Sequence, residues 1–372
     1  MELDILQHYW WILICILGGA LVFLLFVQGG QSLLYTLGKS KEERDLIVNV
    51  IGNKWEYTFT TLVVFGGAFF ASFPLFYATS FGGAYVVWML ILFCFVLQAV
   101  SYEYRNKKNN FLRTRTYEIF LMINGFAAPF LLGAAVATFF TGSPFRLGEM
   151  HEVEWMTPWR GLDDLFVFTN YFLAFAVLFL SRTLAALYFI LMVDHREIQM
   201  RSRRQVWYNA IPFVVFFLLF LGFILAGKGY AINPDGSIEL VPYKYFYNLL
   251  EMPVNTILLV IGVVAVLYGI LRTLMSPQWQ KGIWFSGSGT VLTVIGLLVI
   301  AGFNHTAFYP SSTDLDSSLT IYNASSSLYT LKAMAWVSLI VPFVIAYIWY
   351  VWRSMTKKAV NPEALQQEDH AY

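Results

Sequence analysis

Nine long apolar stretches, divided by short charged segments, constrain this chain more than any other feature of its sequence. A bilayer-crossing helix needs about 20 mainly apolar residues, because each advances about 1.5 Å across a hydrocarbon layer about 30 Å thick. The stretches lie near 9–37, 57–79, 83–102, 117–141, 165–193, 206–227, 253–274, 283–303 and 331–352. Runs of this length read as helices, which satisfy their own backbone in lipid; barrel strands would alternate in polarity and be about half as long. Composition agrees: 58% of the 372 residues are apolar and 13% charged, about half the roughly 25% charge usual in soluble domains. That balance excludes a soluble globular enzyme and a disordered chain. A net charge of +1 also lacks the basic surplus of a nucleic-acid binder. The expected fold is an all-α polytopic membrane protein of about nine spans. It divides into a first bundle over 1–160 (spans 1–4), a second over 161–306 (spans 5–8), and a segment 307–372 carrying an external loop, the ninth span and a tail.

Charge in the loops orients the spans. Lys39, Lys41, Arg44, Lys54, Arg105, Lys107, Lys108, Arg113, Arg115, Arg196, Arg201, Arg203, Arg204, Arg272, Lys281, Arg353, Lys357 and Lys358 fall in alternate loops, 18 of the 24 basic residues. The opposite loops hold Arg146, Arg160, Lys228, Lys244 and Lys332. The positive-inside rule then predicts an external N-terminus and a cytoplasmic C-terminus. The first span is not read as a cleaved signal, since Glu2 and Asp4 flank it in place of basic residues and no small-residue cleavage site follows. Tyr9, Trp10, Trp11, Tyr57, Tyr102, Tyr117, Trp207, Trp284, Trp349 and Trp352 cluster at span ends as interfacial anchors do. Ser40-Lys41-Glu42-Glu43 is a capping-box pattern that predicts a short amphipathic helix on the inner side.

Few residues could carry chemistry. His8, His151, His195, His305 and His370 all fall in loops, tails or span edges, and no pair has the spacing of a helical metal site. Cys15 and Cys94 sit in apolar runs, which argues against a disulfide framework or a thiolate site. Ser286-Gly287-Ser288-Gly289 reads as close helix packing. Glu56 opens span 2 and Glu103 closes span 3, and counting from a tight Ser80-Phe81-Gly82 turn puts both at one depth on the inner side. There they pass protons, or are solvated edge residues, or are paired with Arg105 or Lys54. Arg182 is the one basic residue well inside a span, facing the bundle interior, a cavity or a subunit interface, or anchoring an ion pair or span-break carbonyls. Gln28, Gln31 and Gln98 read first as interhelical hydrogen-bonding groups. Asn124-Gly125, Pro129 and Pro342 read as packing and kink devices.

The order of several short motifs resembles subunit II of the cytochrome bd quinol oxidases. They are Tyr9-Trp10-Trp11, the run from Asn49 through Lys54-Trp55-Glu56, Gly66-Gly67-Ala68-Phe69-Phe70-Ala71-Ser72-Phe73-Pro74, and Tyr102-Glu103-Tyr104-Arg105. Lys281-Gly282-Ile283-Trp284 follows, then a last external loop with Tyr309-Pro310-Ser311-Ser312-Thr313, Ser318-Leu319-Thr320 and Asn323-Ala324-Ser325-Ser326 before a Pro-bearing final span. The resemblance covers essentially the whole chain. It implies a haem-free subunit of a quinol:oxygen oxidoreductase in a bacterial inner membrane. Haem b and haem d belong to a partner subunit I, which oxidises quinol and reduces oxygen to water. Further partners implied are membrane lipids, quinol, a structural quinone and small accessory subunits. This subunit would stabilise the partner's cofactors and contribute to cytoplasmic proton supply. Glu56 and Glu103 then stand where the family usually has aspartates, as proton-pathway candidates. Trp55, Arg182, Gln28, Gln31 and Arg105 are structural or interface candidates.

The sequence also departs from the family. An acid common in span 1 is replaced by the stretch Val27-Gln28-Gly29-Gly30-Gln31, and a polar run with a Trp after the Trp-acid pair is replaced by Tyr57-Thr58-Phe59-Thr60-Thr61. An acid near the last motif appears as Asn323, and Arg182 stands where a neutral polar residue is expected. Two other functions fit parts of the sequence: a secondary transporter with a site near Arg182, which would need inverted repeats and broken spans, and a structural membrane scaffold.

Overall fold

The computed structural model describes residues 2–107, 110–355 and 359–360. Lys108, Lys357, Lys358 and His370, and the side chains of Pro342 and Trp349, lie outside the described part. The first apolar stretch forms α1 (Glu2–Leu24), α2 (Phe26–Ser32) and α3 (Leu34–Leu37), followed by α4 (Lys41–Gly52) and α5 (Trp55–Ser72). After α5 come the single turn α6 (Pro74–Phe76), a π-helical turn Tyr77–Gly83, then α7 (Tyr85–Tyr104) and α8 (Arg113–Thr141). A hairpin of β1 (Phe145–Leu147) and β2 (Val153–Trp155) leads to α9 (Phe168–Met192) and α10 (Arg196–Ala226). A second antiparallel hairpin, β3 (Lys228–Ile232) and β4 (Ile238–Pro242), precedes α11 (Lys244–Glu251), α12 (Pro253–Met275) and α13 (Gly282–Gly302). The chain closes on α14 (Leu328–Ser338) and α15 (Val341–Met355).

The expected all-α membrane fold is present, but nine continuous spans are not found among the described residues. Among the described residues, seven helices are individually long and apolar enough to cross a membrane, and eight if one sharply bent pair is counted. That pair comes from the expected second span, which turns through 119° between Ser72 and Pro74. Proline disfavours helical backbone at the residue before it, and Phe73 leaves the helix at φ −130°, ψ 65°. The carbonyl of Ser72 accepts from the Ser326 N–H at 2.8 Å, so the last external loop caps the break. The expected tight Ser80-Phe81-Gly82 turn is replaced by the π-helical turn. The expected ninth span is two short helices. Pro342 has no N–H to give, and Leu339, Ile340 and Phe343 bond back only three residues, tightening the backbone at the join.

Packing in the bundle rests on small residues, as expected where lipid gives helices no hydrophobic reason to associate. The helix α2 is wedged between α8 and α9. A Cβ on Gly29 would lie 2.0 Å from the Ser181 carbonyl oxygen, and one on Gly125 would lie 2.5 Å from the Ser32 nitrogen. The Ser286–Gly289 stretch packs against α12, with Ser286 Oγ donating to the Val266 carbonyl at 3.0 Å. Trp11 is fully buried, and its indole N–H donates to the Leu298 carbonyl at 3.1 Å. This corrects its reading as an interfacial anchor: the ring fastens α1 to α13. Trp10 is buried as well, donating to the Leu331 carbonyl at 3.2 Å, whereas Trp207 and Trp284 are exposed as belt residues should be.

At the acidic end the loops form a cap. Asn323 accepts from the Thr320 N–H at 2.7 Å and donates to the Ser318 carbonyl at 3.0 Å, so it shapes a turn. Ser143 at the end of α8 pairs with Ser311 and donates its hydroxyl to Asp164 at 2.8 Å. Asp164 is 7% exposed. Burial is the main cause that pushes its carboxyl up to about 7, with Ser143 opposing and Asp163 adding to the rise.

Two outcomes are expected. Gly29→Val should lower the thermal midpoint of the detergent-solubilised protein, since overpacking of a rigid contact costs about 1–3 kcal/mol or more; Gly222→Val, where an added Cβ meets nothing within 4 Å, should leave it unchanged. The raised carboxyl of Asp164 is protonated in the fold and ionises near 3.9 when unfolded. Its contribution is therefore complete at about pH 4 and lost as pH rises through about 7. Midpoints from pH 4.5 to 8.5 should fall more for the parent than for Asp164→Asn, and identical slopes would refute the assignment.

Candidate functional site

The basic end of the bundle holds two polar layers, one charged and one neutral. The capping box predicted from sequence starts α4: the Glu43 N–H donates to Ser40 Oγ at 3.1 Å, and the Ser40 N–H donates to Glu43 Oε2 at 3.2 Å. Glu43 also receives both terminal nitrogens of Arg201 on α10. The helix so fixed presents Arg44 and Asp45 inward. Arg105 caps the C-terminal end of α7, where a cation complements the exposed carbonyls. Its Nη2 donates to Asp45 Oδ1 at 2.5 Å and to Glu118 Oε1 at 2.8 Å. Glu118, in the second turn of α8, accepts from the Tyr35 hydroxyl at 2.7 Å and faces Arg44 Nε at 3.3 Å. Arg105 and Glu118 are both buried, while the Asp45 side chain is 29% exposed. The layer therefore has one carboxylate open to solvent and one enclosed, joined through a single guanidinium.

The second layer is made of amides. Gln98 Oε1 accepts from Gln28 Nε2 at 2.7 Å, from Gln31 Nε2 at 2.6 Å and from Asn124 Nδ2 at 2.8 Å. Asn124 also donates to Gln31 Oε1 at 2.7 Å, and Gln31 to the Tyr102 hydroxyl at 3.0 Å. All four amides are fully buried. Gln28 Oε1, Asn124 Oδ1 and Gln98 Nε2 have no partner among the described residues, so the cluster keeps two acceptors and one donor but has no group that ionises near neutral pH. Trp55 stacks on Tyr102 with ring centroids 5.9 Å apart. Lys54 is buried beside it, its ammonium 4.6 Å from the Trp352 ring.

The two glutamates singled out in the sequence are not brought together. Glu103 is exposed and pairs with Lys107 one turn on. Glu56 is exposed and makes no ion pair or hydrogen bond among the described residues. Arg105, in contrast, lies at the centre of the charged layer. Gln28 and Gln31 are interhelical hydrogen-bonding groups as expected. Arg182 Nε donates to Asn209 Oδ1 at 2.7 Å and its Nη1 to Ser32 Oγ at 2.9 Å, with no carboxylate beside it among the described residues. Glu118 and Asp45 were missed. The signal for Glu118 was available, because it falls inside the expected span 117–141, where an acid is costly and therefore informative.

Among the described residues, no group of three His, Cys, Asp or Glu side chains could hold a metal. His8 lies near the start of α1, His195 caps α10, and His151 and His305 sit in loops. Deeper in the bundle is an apolar cavity of about 180 Å³ bounded by Phe65, Trp88, Leu132, Phe140, Phe217 and Leu297 among others.

The family model described as cytochrome bd terminal oxidase subunit II matches residues 6–355. The chain belongs to this family. Among its relatives, cytochrome bd-I ubiquinol oxidase subunit 2 of Escherichia coli (strain K12) is 26% identical over 390 aligned positions, covering 100% of this chain and 99% of the relative. Cytochrome bd ubiquinol oxidase subunit 2 of Bacillus subtilis (strain 168) is 26% identical, covering 94% and 96%. A chain of the solved bd oxidase of Geobacillus thermodenitrificans superposes with a TM-score of 0.65 at 14% identity, covering 94% of this chain and 98% of that one. The fold is thus that of a bd oxidase subunit, and the protein is a multi-pass component of an oxidoreductase assembly.

Within this family member the charged layer makes a stability claim. Glu118→Gln should destabilise the protein by up to about 3–5 kcal/mol, the cost of stripping a buried charge of its partner, less what Asp45 retains. Glu103→Gln, in an exposed pair, should leave stability nearly unchanged. Denaturation midpoints of the two variants should differ accordingly.

Proposed function

We propose that the chain is the haem-free subunit II of a bd-type quinol oxidase, supporting quinol oxidation and oxygen reduction in a haem-bearing partner subunit. The observation that carries this reading is the placement of the four described histidines, none of them midway along a helix: His8 is in the second turn of α1, His195 caps α10, and His151 and His305 are in loops. Where a haem protein would present ligands at membrane depth, this bundle presents amides and an enclosed ion cluster. The Escherichia coli and Bacillus subtilis relatives are ubiquinol oxidase subunits, and a quinol is the electron donor in this reading. The basic end is taken as cytoplasmic, with the N-terminus outside, following the positive-inside rule.

In this reading the subunit supplies protons and a fixed environment to its partner. Asp45 collects protons at the cytoplasmic surface. Glu118 and the Tyr35 hydroxyl hold the next position, and the amides beyond them accept and donate hydrogen bonds without ionising. Glu56, exposed at the head of α5 beside Trp55, faces outward and can serve a route completed by the partner. The apolar cavity suits the tail of a structural quinone or a lipid, and offers no polar group to a head.

The test uses the chain co-expressed with its partner subunit. Glu56→Ala should lower quinol-driven oxygen uptake about tenfold or more while haem content is kept, as loss of a positioned proton-transfer group does. Glu56→Asp should be milder. Loss of haem together with activity would mean an assembly role. A partner that holds its haems and runs at full rate without this chain would overturn the reading.

A further inference from the structure

The four amides of the neutral layer leave three of their polar atoms over. Gln28, Gln31, Gln98 and Asn124 are all fully buried. Gln98 Oε1 takes three N–H donors, from Gln28 at 2.7 Å, from Gln31 at 2.6 Å and from Asn124 at 2.8 Å. That crowding fixes which way the amides point. Turned over, Gln98 would set a fourth nitrogen against three, and Gln28 would set oxygen against oxygen. Asn124 would lose its bonds to both Gln31 and Gln98. Gln28 Oε1, Asn124 Oδ1 and Gln98 Nε2 are then the atoms without a partner among the described residues. Buried polar atoms are nearly always bonded, because an unmade bond in such a place is costly.

The three atoms lie close together. Each shares an amide with an atom at the Gln98 Oε1 hub or is on the hub's own amide, and the oxygen and nitrogen of one amide are about 2.2 Å apart. All three therefore fall within about 5 Å of the hub. Their chemistry names what they take. Two acceptors and one donor are the complement of water, which gives two hydrogens and accepts on its oxygen, and buried waters typically make about three such bonds. A metal cation would meet the Gln98 amide hydrogens, and an anion would meet two carbonyl oxygens.

The layer also stands in line with the charged one. Gln98, Tyr102 and Arg105 follow at intervals of four and three along α7 and so share one face. Gln31 donates to the Tyr102 hydroxyl at 3.0 Å, and Arg105 holds Glu118 at 2.8 Å. From Gln98 to Arg105 is about 10 Å along the helix, with Tyr102 between them.

We propose that the amide layer binds ordered water, and that this water carries protons across the layer. It donates to Gln28 Oε1 and Asn124 Oδ1 and accepts from Gln98 Nε2. The amides have no proton to exchange near neutral pH, so they hold the water while it makes the transfer. The water takes a proton on its oxygen from the Glu118 side and releases one of its own hydrogens as a proton on the far side. One proton enters, one leaves, and no electron moves. The carriage rests on the proton route proposed above, whereas the water site does not.

The test uses the full chain in complex with its partner subunit, imaged in bilayer discs by electron cryomicroscopy at a resolution that shows water. The parent should carry a peak within hydrogen-bond distance of Gln28 Oε1, Asn124 Oδ1 and Gln98 Nε2. Gln28→Met removes one acceptor at nearly constant volume. The peak should then vanish, and quinol-driven oxygen uptake should fall about tenfold or more at unchanged haem content. Gln28→Glu keeps an oxygen in place and should retain the peak. Asp45→Asn reports on the route itself and should slow uptake with the peak still present. The parent map decides the site even where Gln28→Met fails to fold: absence of a peak at these atoms overturns it. Full uptake by Gln28→Met after loss of the peak overturns the carriage and leaves the route standing. Full uptake by Asp45→Asn with the peak in place overturns the route, and the carriage with it, and leaves the water site standing.

Discussion

The wedge of α2 between α8 and α9 is the contact on which the rest of the basic end depends. Two backbones approach so closely at Gly29 and Gly125 that neither site has room for a Cβ. In lipid, where apolar burial gives helices little reason to associate, such contact is a main source of cohesion. It also sets the register of everything polar nearby. With α2 seated, Gln28 and Gln31 meet Gln98 of α7 and Asn124 of α8, and Ser32 meets Arg182 of α9. One helix segment thereby ties three spans through hydrogen bonds that would be costly to leave unmade.

The charged layer above it joins elements that packing alone would leave separate. Asp45 and Arg44 come from the short surface helix α4, Tyr35 from α3, Arg105 from the end of α7 and Glu118 from α8. Buried ion pairs rarely add net stability, but losing one partner is expensive, so they specify a single arrangement of the elements that carry them. Here that arrangement places one carboxylate at the surface and a second behind it. The family assignment gives this geometry a setting, and the proton route proposed for it is a matter of those two acids and the neutral amides beyond them.

Much of this was legible in the sequence. Apolar runs of bilayer length set the fold class, and the Ser40–Glu43 pattern announced the capping box that was found. Gln28, Gln31 and Gln98 were read as interhelical bonding groups and are so. The count of spans was less legible: Pro74 and Pro342 each divide an apolar run, and hydropathy does not register a break that costs no apolar residue. Trp11 was misread because a tryptophan near a span end has the same local pattern whether it faces headgroups or a neighbouring helix. Glu56 and Glu103 drew attention by their positions along the chain, while Glu118, one residue past Tyr117, turned out to be the enclosed acid.

The chain by itself determined that it would be helical, membrane-embedded and basic on one face, because transfer of apolar side chains and backbone satisfaction are local, additive demands that each segment meets alone. Only the tertiary structure decided which carboxylate is enclosed, which amides share one acceptor, and which groups meet Arg182. Those depend on the rotation and depth of one helix against another, which close contacts between distant residues fix and no single segment encodes.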